Sequence, residues 1–87
     1  MKFKLTQHAI SQMKDRGITE GLVEKVLKDP QQKIEQESGE IVYQAKIGKK
    51  KGKQMLLRIV VAENVNPYVV ITAYITSNIK KYWRIDK

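Results

Sequence analysis

The segment LTQHAISQMKDRGIT, residues 5–19, holds the only histidine of the chain. In a helix, residues four apart are surface neighbours, so His8, Gln12 and Arg16 form one polar ridge. An imidazole titrates near neutral pH and can transfer a proton, and a guanidinium can bind a phosphate in a bidentate manner. The ridge therefore suggests phosphate chemistry, or else the ordinary solvated flank of a helix.

Cleavage of RNA would suit these residue types. RNA supplies its own nucleophile, the 2′-hydroxyl, so a nuclease needs in-line positioning, proton transfer and cations on the phosphate. His8 is the candidate for proton transfer, and Arg16 or Arg58 can hold the phosphate. The aromatic residues that can stack on a base or donate a hydrogen bond are Tyr43, Tyr68 and Tyr74.

The charge of the chain favours an anionic partner. It has 17 Lys+Arg against 9 Asp+Glu, a net charge of +8, which points first to nucleic acid. The lysines that can contact a phosphate backbone are Lys46, Lys49, Lys50, Lys51 and Lys53. The alternative is a solvated hairpin tip, whose charge keeps the protein soluble and free of aggregation.

Several classes of site are excluded by composition. One histidine and no cysteine cannot form the usual zinc sites or a disulfide, and the acidic residues lack metal-ligand spacing. The sequence GKKKGK lacks the spacing of a phosphate-binding loop, so we expect neither a metal nor a cofactor. Since no apolar run reaches the length of a signal core or a membrane span, we expect a cytoplasmic protein without a membrane partner.

The length of 87 residues predicts one domain, residues 1–87. Thr6 is a typical N-cap and Gly17 a typical left-handed residue after a helix, which predicts a first helix from Gln7 to Arg16. Thr19 is a second N-cap, and the helix that follows should stop near Lys28, before a proline.

The remainder of the chain reads as strands. Alternating faces predict strands over residues 40–47 and 68–76, and residues 34–37 suggest a weak edge strand. Residues 54–62 are rich in branched residues, and the apolar run MLL-IVV predicts a central strand. We expect an α+β fold with two N-terminal helices packed on one face of a three- to four-stranded antiparallel sheet. The other face would carry Thr72, Tyr74 and Thr76.

Three segments, HAISQMKDRGIT, VVITAYIT and KKYW, together resemble a bacterial family of unknown function, number 4258. That family is similar to the RelE/ParE toxin superfamily, which shares the barnase–EndoU–colicin–RelE nuclease fold. The resemblance covers nearly the whole chain. It implies an antiparallel sheet backed by N-terminal helices, and a metal-independent endoribonuclease that acts as the toxin of a toxin–antitoxin pair. It also implies RNA and an acidic antitoxin protein as partners.

The resemblance points to particular residues. It implies His8 and Arg16 on the first helix, and Thr72 and Tyr74 on the late strand. The family motif often has an arginine where this chain has Gln12, and the loss of that cation weakens phosphate binding. The catalytic candidates are His8, Arg16 and Tyr74, and the RNA-contacting candidates are Gln12, Tyr43, Lys49, Lys50, Lys51, Arg58 and Thr72. The alternative is a non-catalytic basic module that binds nucleic acid or a protein.

Overall fold

The structure, a computed structural model, describes residues 2–85. Within these residues, three helices and five strands follow one another. In order they are β1 (Phe3–Leu5), α1 (Gln7–Arg16), α2 (Glu20–Lys28), β2 (Gln32–Glu35), β3 (Ile41–Lys50), β4 (Lys53–Ala62), β5 (Tyr68–Thr76) and α3 (Ile79–Tyr82).

The first two helices begin and end where their capping residues predict. The Thr6 hydroxyl accepts a hydrogen bond from the amide of Ala9 at 3.0 Å and donates one to the carbonyl of Ile71 at 2.7 Å. It therefore caps α1 and also fastens the start of that helix to β5. Gly17 ends α1 with φ at 68°, in the left-handed region that favours glycine. Thr19 caps α2 in the same way as Thr6 caps α1, by accepting from the amide of Leu22.

The α+β class is confirmed, but the predicted sheet needs correction. It has five strands in the order β1-β5-β4-β3-β2, not three or four. It is also mixed, because β1 runs parallel to β5 while every other pair is antiparallel. A three-residue strand carries almost no periodic signal of its own. Its pairing of Phe3 with Tyr68 joins residues that are distant in sequence, so local patterns could not predict it.

The hairpin between β3 and β4 is tighter than its sequence indicates. The two strands extend to Lys50 and from Lys53, so only Lys51 and Gly52 form the turn. Their φ angles are 52° and 78°, which is typical of a two-residue type I′ turn. Lys49, Lys50 and Lys53 therefore lie on strands, and Lys51 lies in the turn.

The core lies between one face of the sheet and the helices α1 and α2. On the helices it includes Ala9, Met13 and Val23, and on the sheet Leu57 and Ala73. Ile10 is next to Ala9 on α1, but it is 42% exposed. It lies on the flank of α1 that faces the start of α2, where it lines a surface groove with Glu20.

The short helix α3 covers part of the opposite face. The carbonyl of Tyr82 in α3 accepts a hydrogen bond from Gln44 of β3, whose neighbours Tyr43 and Ala45 point to the core. Side chains alternate along a strand, so Gln44 and the helix above it lie on the face away from α1 and α2. Among residues 2–85, no helix is long and apolar enough to cross a membrane.

Candidate functional site

A row of polar side chains crosses four strands on the face of the sheet away from α1 and α2. The strand register pairs Gln32 with Gln44, Gln44 with Arg58, and Arg58 with Tyr74. Because these residues are direct cross-strand neighbours, their side chains lie side by side. We call these four residues the arginine row.

Hydrogen bonds run the length of the arginine row. The Nε2 group of Gln44 donates to Oε1 of Gln32 at 2.7 Å. The Oε1 atom of Gln44 accepts from Nε of Arg58 at 2.9 Å. The Nη1 group of Arg58 then donates to the hydroxyl of Tyr74 at 2.6 Å. Gln44 is fully buried and Arg58 is 7% exposed, so these bonds satisfy polar groups that water reaches little.

Aromatic rings, not acids, surround the guanidinium of Arg58. Its central carbon lies 4.0 Å from the ring centre of Tyr82 and 5.8 Å from that of Tyr74. The ion pairs of the described residues join Lys28 to Glu24 and Lys33 to Glu63, and none involves Arg58. Within the described part of the chain, the positive charge of Arg58 is therefore balanced by ring faces and neutral hydrogen bonds.

A second surface lies on the other side of the sheet, between the end of α1 and the β3–β4 hairpin. It is an open cleft of about 360 Å³, which we call the hairpin cleft. Its floor is apolar and its rim is mainly cationic. Its lining residues are Asp15, Arg16, Ile47, Gly48, Lys49, Lys50, Met55 and Ile75.

The predicted residues of the first helix are accessible but do not share one place with Tyr74. His8 and Arg16 are exposed and Gln12 is half-buried on α1, and Arg16 reaches the hairpin cleft. Tyr74 lies on the opposite face, since its neighbour Ala73 packs in the core beneath α1. The structure thus brings Arg16 to Lys49 and Lys50, and Tyr74 to Arg58, on two different surfaces.

The structure also corrects the role suggested for Tyr43. This side chain is 3% exposed and belongs to the core, so its ring has no free face on which a base can stack. Its hydroxyl donates to the carboxylate of Glu63, which also pairs with Lys33 at 3.1 Å. Burial is the main cause that raises the pKa of Tyr43, and the hydrogen bond to Glu63 adds to it. The contact with Glu63 likewise raises the pKa of Lys33.

The other RNA-contacting candidates divide between the two surfaces. Lys51 is exposed at the hairpin turn, next to the cleft. Thr72 is half-buried on β5, two residues before Tyr74 and therefore on the face of the arginine row. Within residues 2–85, no cluster of three or more His, Asp or Glu side chains can hold a metal ion.

The family described as a domain of unknown function, DUF4258, matches residues 5–75. The chain belongs to the DUF4258 family. Neither the curated proteins nor the solved structures gave any match. In this DUF4258 member, the four residues of the arginine row and all of the hairpin cleft lie inside the matched range, whereas α3 lies outside it.

Sequence reasoning missed Gln32, Gln44 and Tyr82 in this DUF4258 member. One signal was present, because Arg58 interrupts the apolar run MLLRIVV of a strand otherwise typical of a sheet centre. A charged residue at such a position is rarely buried without partners. Finding those partners required the strand register, which pairs Arg58 with Gln44 on one side and Tyr74 on the other.

Proposed function

We propose that this protein binds single-stranded RNA in the hairpin cleft. The observation that supports the proposal is the meeting of Arg16 with Lys49 and Lys50 around one cleft. These residues come from distant parts of the chain. Their convergence on one opening is more specific than the net charge of +8, which favours any polyanion.

The cleft offers separate contacts to the two parts of a nucleotide. The cations on its rim can neutralise phosphates, and a guanidinium can bind a phosphate through two hydrogen bonds. Its floor, made of Ile47, Met55 and Ile75, can pack against an unstacked base. Single strands expose their base faces and duplexes do not, so the apolar floor favours single-stranded RNA.

Salt dependence tests this proposal. The logarithm of the binding constant should fall linearly with the logarithm of salt concentration, by about 0.7 per phosphate contact on a single strand. Changing Lys49 and Lys50 to alanine should flatten that slope by about 1.4, twice the contribution of one contact. Fluorescence anisotropy of a labelled RNA oligonucleotide measures both values.

The matched control changes Lys25 and Lys28, two exposed lysines of α2, to alanine. It removes the same charge away from the hairpin cleft, so the slope should stay close to that of the wild type. If both double variants lower the slope equally, RNA is held by overall charge and the hairpin cleft is not its site.

Cleavage of the bound RNA, as the toxin of a toxin–antitoxin pair, is a second candidate. It is favoured by the exposure of His8 on the same ridge as Arg16, about 12 Å apart at 1.5 Å of rise per residue. One RNA strand can contact both residues at that distance. Tyr74 lies on the other face and is not needed in this arrangement.

The cleavage candidate is tested with a long RNA in EDTA. His8→Ala should lower the cleavage rate at least about a hundredfold while RNA affinity stays nearly unchanged, because general acid–base catalysis contributes to the rate. Equal rates in the wild type and His8→Ala would remove His8 from the chemistry. RNA binding without cleavage by the wild type would leave the non-catalytic module as the function.

We further infer an acidic protein partner for the basic surface around the hairpin. An antitoxin segment that is disordered alone and folds on binding fits the open, cationic rim of the cleft. Such a segment would compete with RNA for Arg16, Lys49 and Lys50, and so would regulate the proposed RNA binding.

A further inference from the structure

Among residues 2–85, Arg58 is a buried cation without a counter-ion. It is 7% exposed, and no acid of the described residues forms an ion pair with it. Taking a charge out of water is costly, so a buried arginine normally pairs with a carboxylate or another anion. The described contacts of its guanidinium are with Gln44, Tyr74 and the Tyr82 ring, none of which carries a negative charge.

Two hydrogen-bond donors at this position have no partner within residues 2–85. The guanidinium uses Nε toward Gln44 and Nη1 toward Tyr74, and no bond engages Nη2. The Tyr74 hydroxyl accepts from Arg58, and its own proton has no acceptor among the described residues. No fully buried polar side-chain atom of this part of the chain lacks a partner, so the unbonded Nη2 group of Arg58 is not fully buried. The side chain of Tyr74 is half-buried.

We propose that Arg58 and Tyr74 form a phosphate-binding site on the face of the sheet away from α1 and α2. Nη2 of Arg58 and the hydroxyl of Tyr74 donate to two oxygens of one phosphate group. The charge of the phosphate supplies the missing counter-ion. This site is separate from the proposed RNA-binding cleft, because the sheet lies between them.

Further positive charge surrounds the proposed site. The ammonium of Lys46 lies 4.2 Å from the ring centre of Trp83, and that of Lys81 lies 5.2 Å from the ring centre of Tyr82. Both rings belong to the chain segment that follows β5 and contacts the arginine row. A dianionic phosphate gains more from this surrounding charge than a carboxylate does, which is why we assign phosphate.

The same segment, residues 78–85, acts as a lid. The Tyr82 ring covers one side of Arg58, the Tyr82 carbonyl accepts from Gln44, and the backbone of Arg84 makes two hydrogen bonds with the side chain of Gln32. No residue of α3 is buried, so a few polar and ring contacts hold the lid. A segment held in this way opens at low cost, and its opening gives phosphate access to Arg58.

The tryptophan of the lid provides the measurement. Trp83 is the only tryptophan of the chain and sits on the lid, so its fluorescence reports whether the lid moves. Inorganic phosphate, titrated at constant ionic strength with chloride as the balancing anion, should change Trp83 emission along a saturating curve.

Variants assign the effect to the proposed donors. Tyr74→Phe keeps the ring and removes one neutral hydrogen bond, so it should raise the phosphate Kd about 2- to 10-fold. Arg58→Gln removes the charge-assisted bond and should raise it at least about tenfold. Gln32→Ala loosens the lid and should lower the Kd. Changing Lys49 and Lys50 to alanine should leave the Kd unchanged, which separates this site from the RNA-binding cleft.

Two sources of the phosphate are distinguished by a second titration. If the ligand is the end of a nucleic acid, an RNA oligonucleotide with a terminal phosphate should perturb Trp83 more than the same oligonucleotide without it. If the ligand is a free phosphate compound, only the inorganic anion should act. Emission that does not saturate with phosphate, or the same Kd in the wild type, Tyr74→Phe and Arg58→Gln, would overturn the proposal, whatever the result for RNA.

Discussion

At the scale of single residues, Tyr43 shows how burial changes the chemistry that a side chain can perform. The sequence offered it as a base-stacking residue, but its ring is part of the core and its hydroxyl is bonded to Glu63. Its pKa is raised above the ordinary value of 10.0, first by burial and then by this hydrogen bond. The pKa of Lys33 is raised as well, first by its contact with Glu63 and next by that with Tyr43. Tyr43 therefore contributes to stability and to its dependence on pH.

These two shifts have the same effect on stability at alkaline pH. The folded state keeps both groups protonated at a higher pH than the unfolded state does, so their stabilisation is present below about pH 10 and lost above it. We expect the free energy of unfolding of the wild type to fall more steeply above about pH 10 than that of Tyr43→Phe. Urea denaturation at a series of pH values measures this difference.

At neutral pH, Tyr43→Phe should cost about 1 kcal/mol, because it removes one hydrogen bond from a partly buried site. Tyr68→Phe is the matched control, since the Tyr68 hydroxyl makes no side-chain hydrogen bond within residues 2–85. Its alkaline profile should follow that of the wild type. Parallel profiles for all three proteins would show that Tyr43 does not cause the alkaline loss of stability.

At the scale of elements, the two N-terminal helices depend on one glycine between them. Gly17 has φ at 68°, and a Cβ placed there would meet no atom within 4 Å. The cost of Gly17→Ala is therefore backbone strain alone, about 1–2 kcal/mol for a left-handed alanine. Thermal or urea denaturation should show this loss of stability, with the helix content of the folded protein unchanged.

Gly21 provides the opposite result within the same helical pair. It lies inside α2 without a left-handed backbone, and its added Cβ would meet only the Thr19 hydroxyl at an ordinary 3.9 Å. Gly21→Ala should therefore stabilise the protein by about 0.5–1 kcal/mol, since alanine is the better helix former. If Gly17→Ala and Gly21→Ala changed the free energy of unfolding in the same direction, the left-handed backbone of Gly17 would not explain the effect of Gly17→Ala.

At the scale of the whole molecule, the two surfaces carry cations on opposite sides of the sheet. The hairpin cleft carries Arg16, Lys49 and Lys50, and the lidded site carries Arg58 with Lys46 close by. The net charge is +8, so the molecule attracts acidic proteins as well as RNA. We expect such a partner to bind at the hairpin cleft, where Arg16, Lys49 and Lys50 meet.

Co-expression with the neighbouring gene, followed by a pull-down, tests for that partner. We expect an acidic protein to be recovered, to be released as salt rises, and to displace labelled RNA from the wild type. Changing Lys49 and Lys50 to alanine should weaken its recovery, whereas the Lys25 and Lys28 double variant should retain it. Recovery of no acidic protein, together with no toxicity on overexpression, would argue against the toxin–antitoxin function.

The sequence by itself determined the elements whose signals are local. Helix caps act within a few residues of the chain. The hydroxyls of Thr6 and Thr19 and the left-handed backbone of Gly17 are such signals, so α1 and α2 begin and end where the sequence predicts. The alternation along β5 already separated Ala73 from Tyr74, and the structure keeps Tyr74 on the face away from α1. Approximate bounds of β3 followed from the same two-residue period, and those of β4 from its run of apolar, branched residues.

The tertiary structure alone decided which distant residues meet. The parallel pairing of Phe3 with Tyr68, the meeting of Arg16 with the hairpin lysines, and the placement of Tyr82 over Arg58 each join segments far apart in sequence. Such contacts depend on strand order and register, and a shift of register by one residue would turn Arg58 to the core side of the sheet. No local sequence pattern predicts that register. It is fixed by the burial of the whole apolar face of the sheet under α1 and α2, which forms only when the complete chain packs.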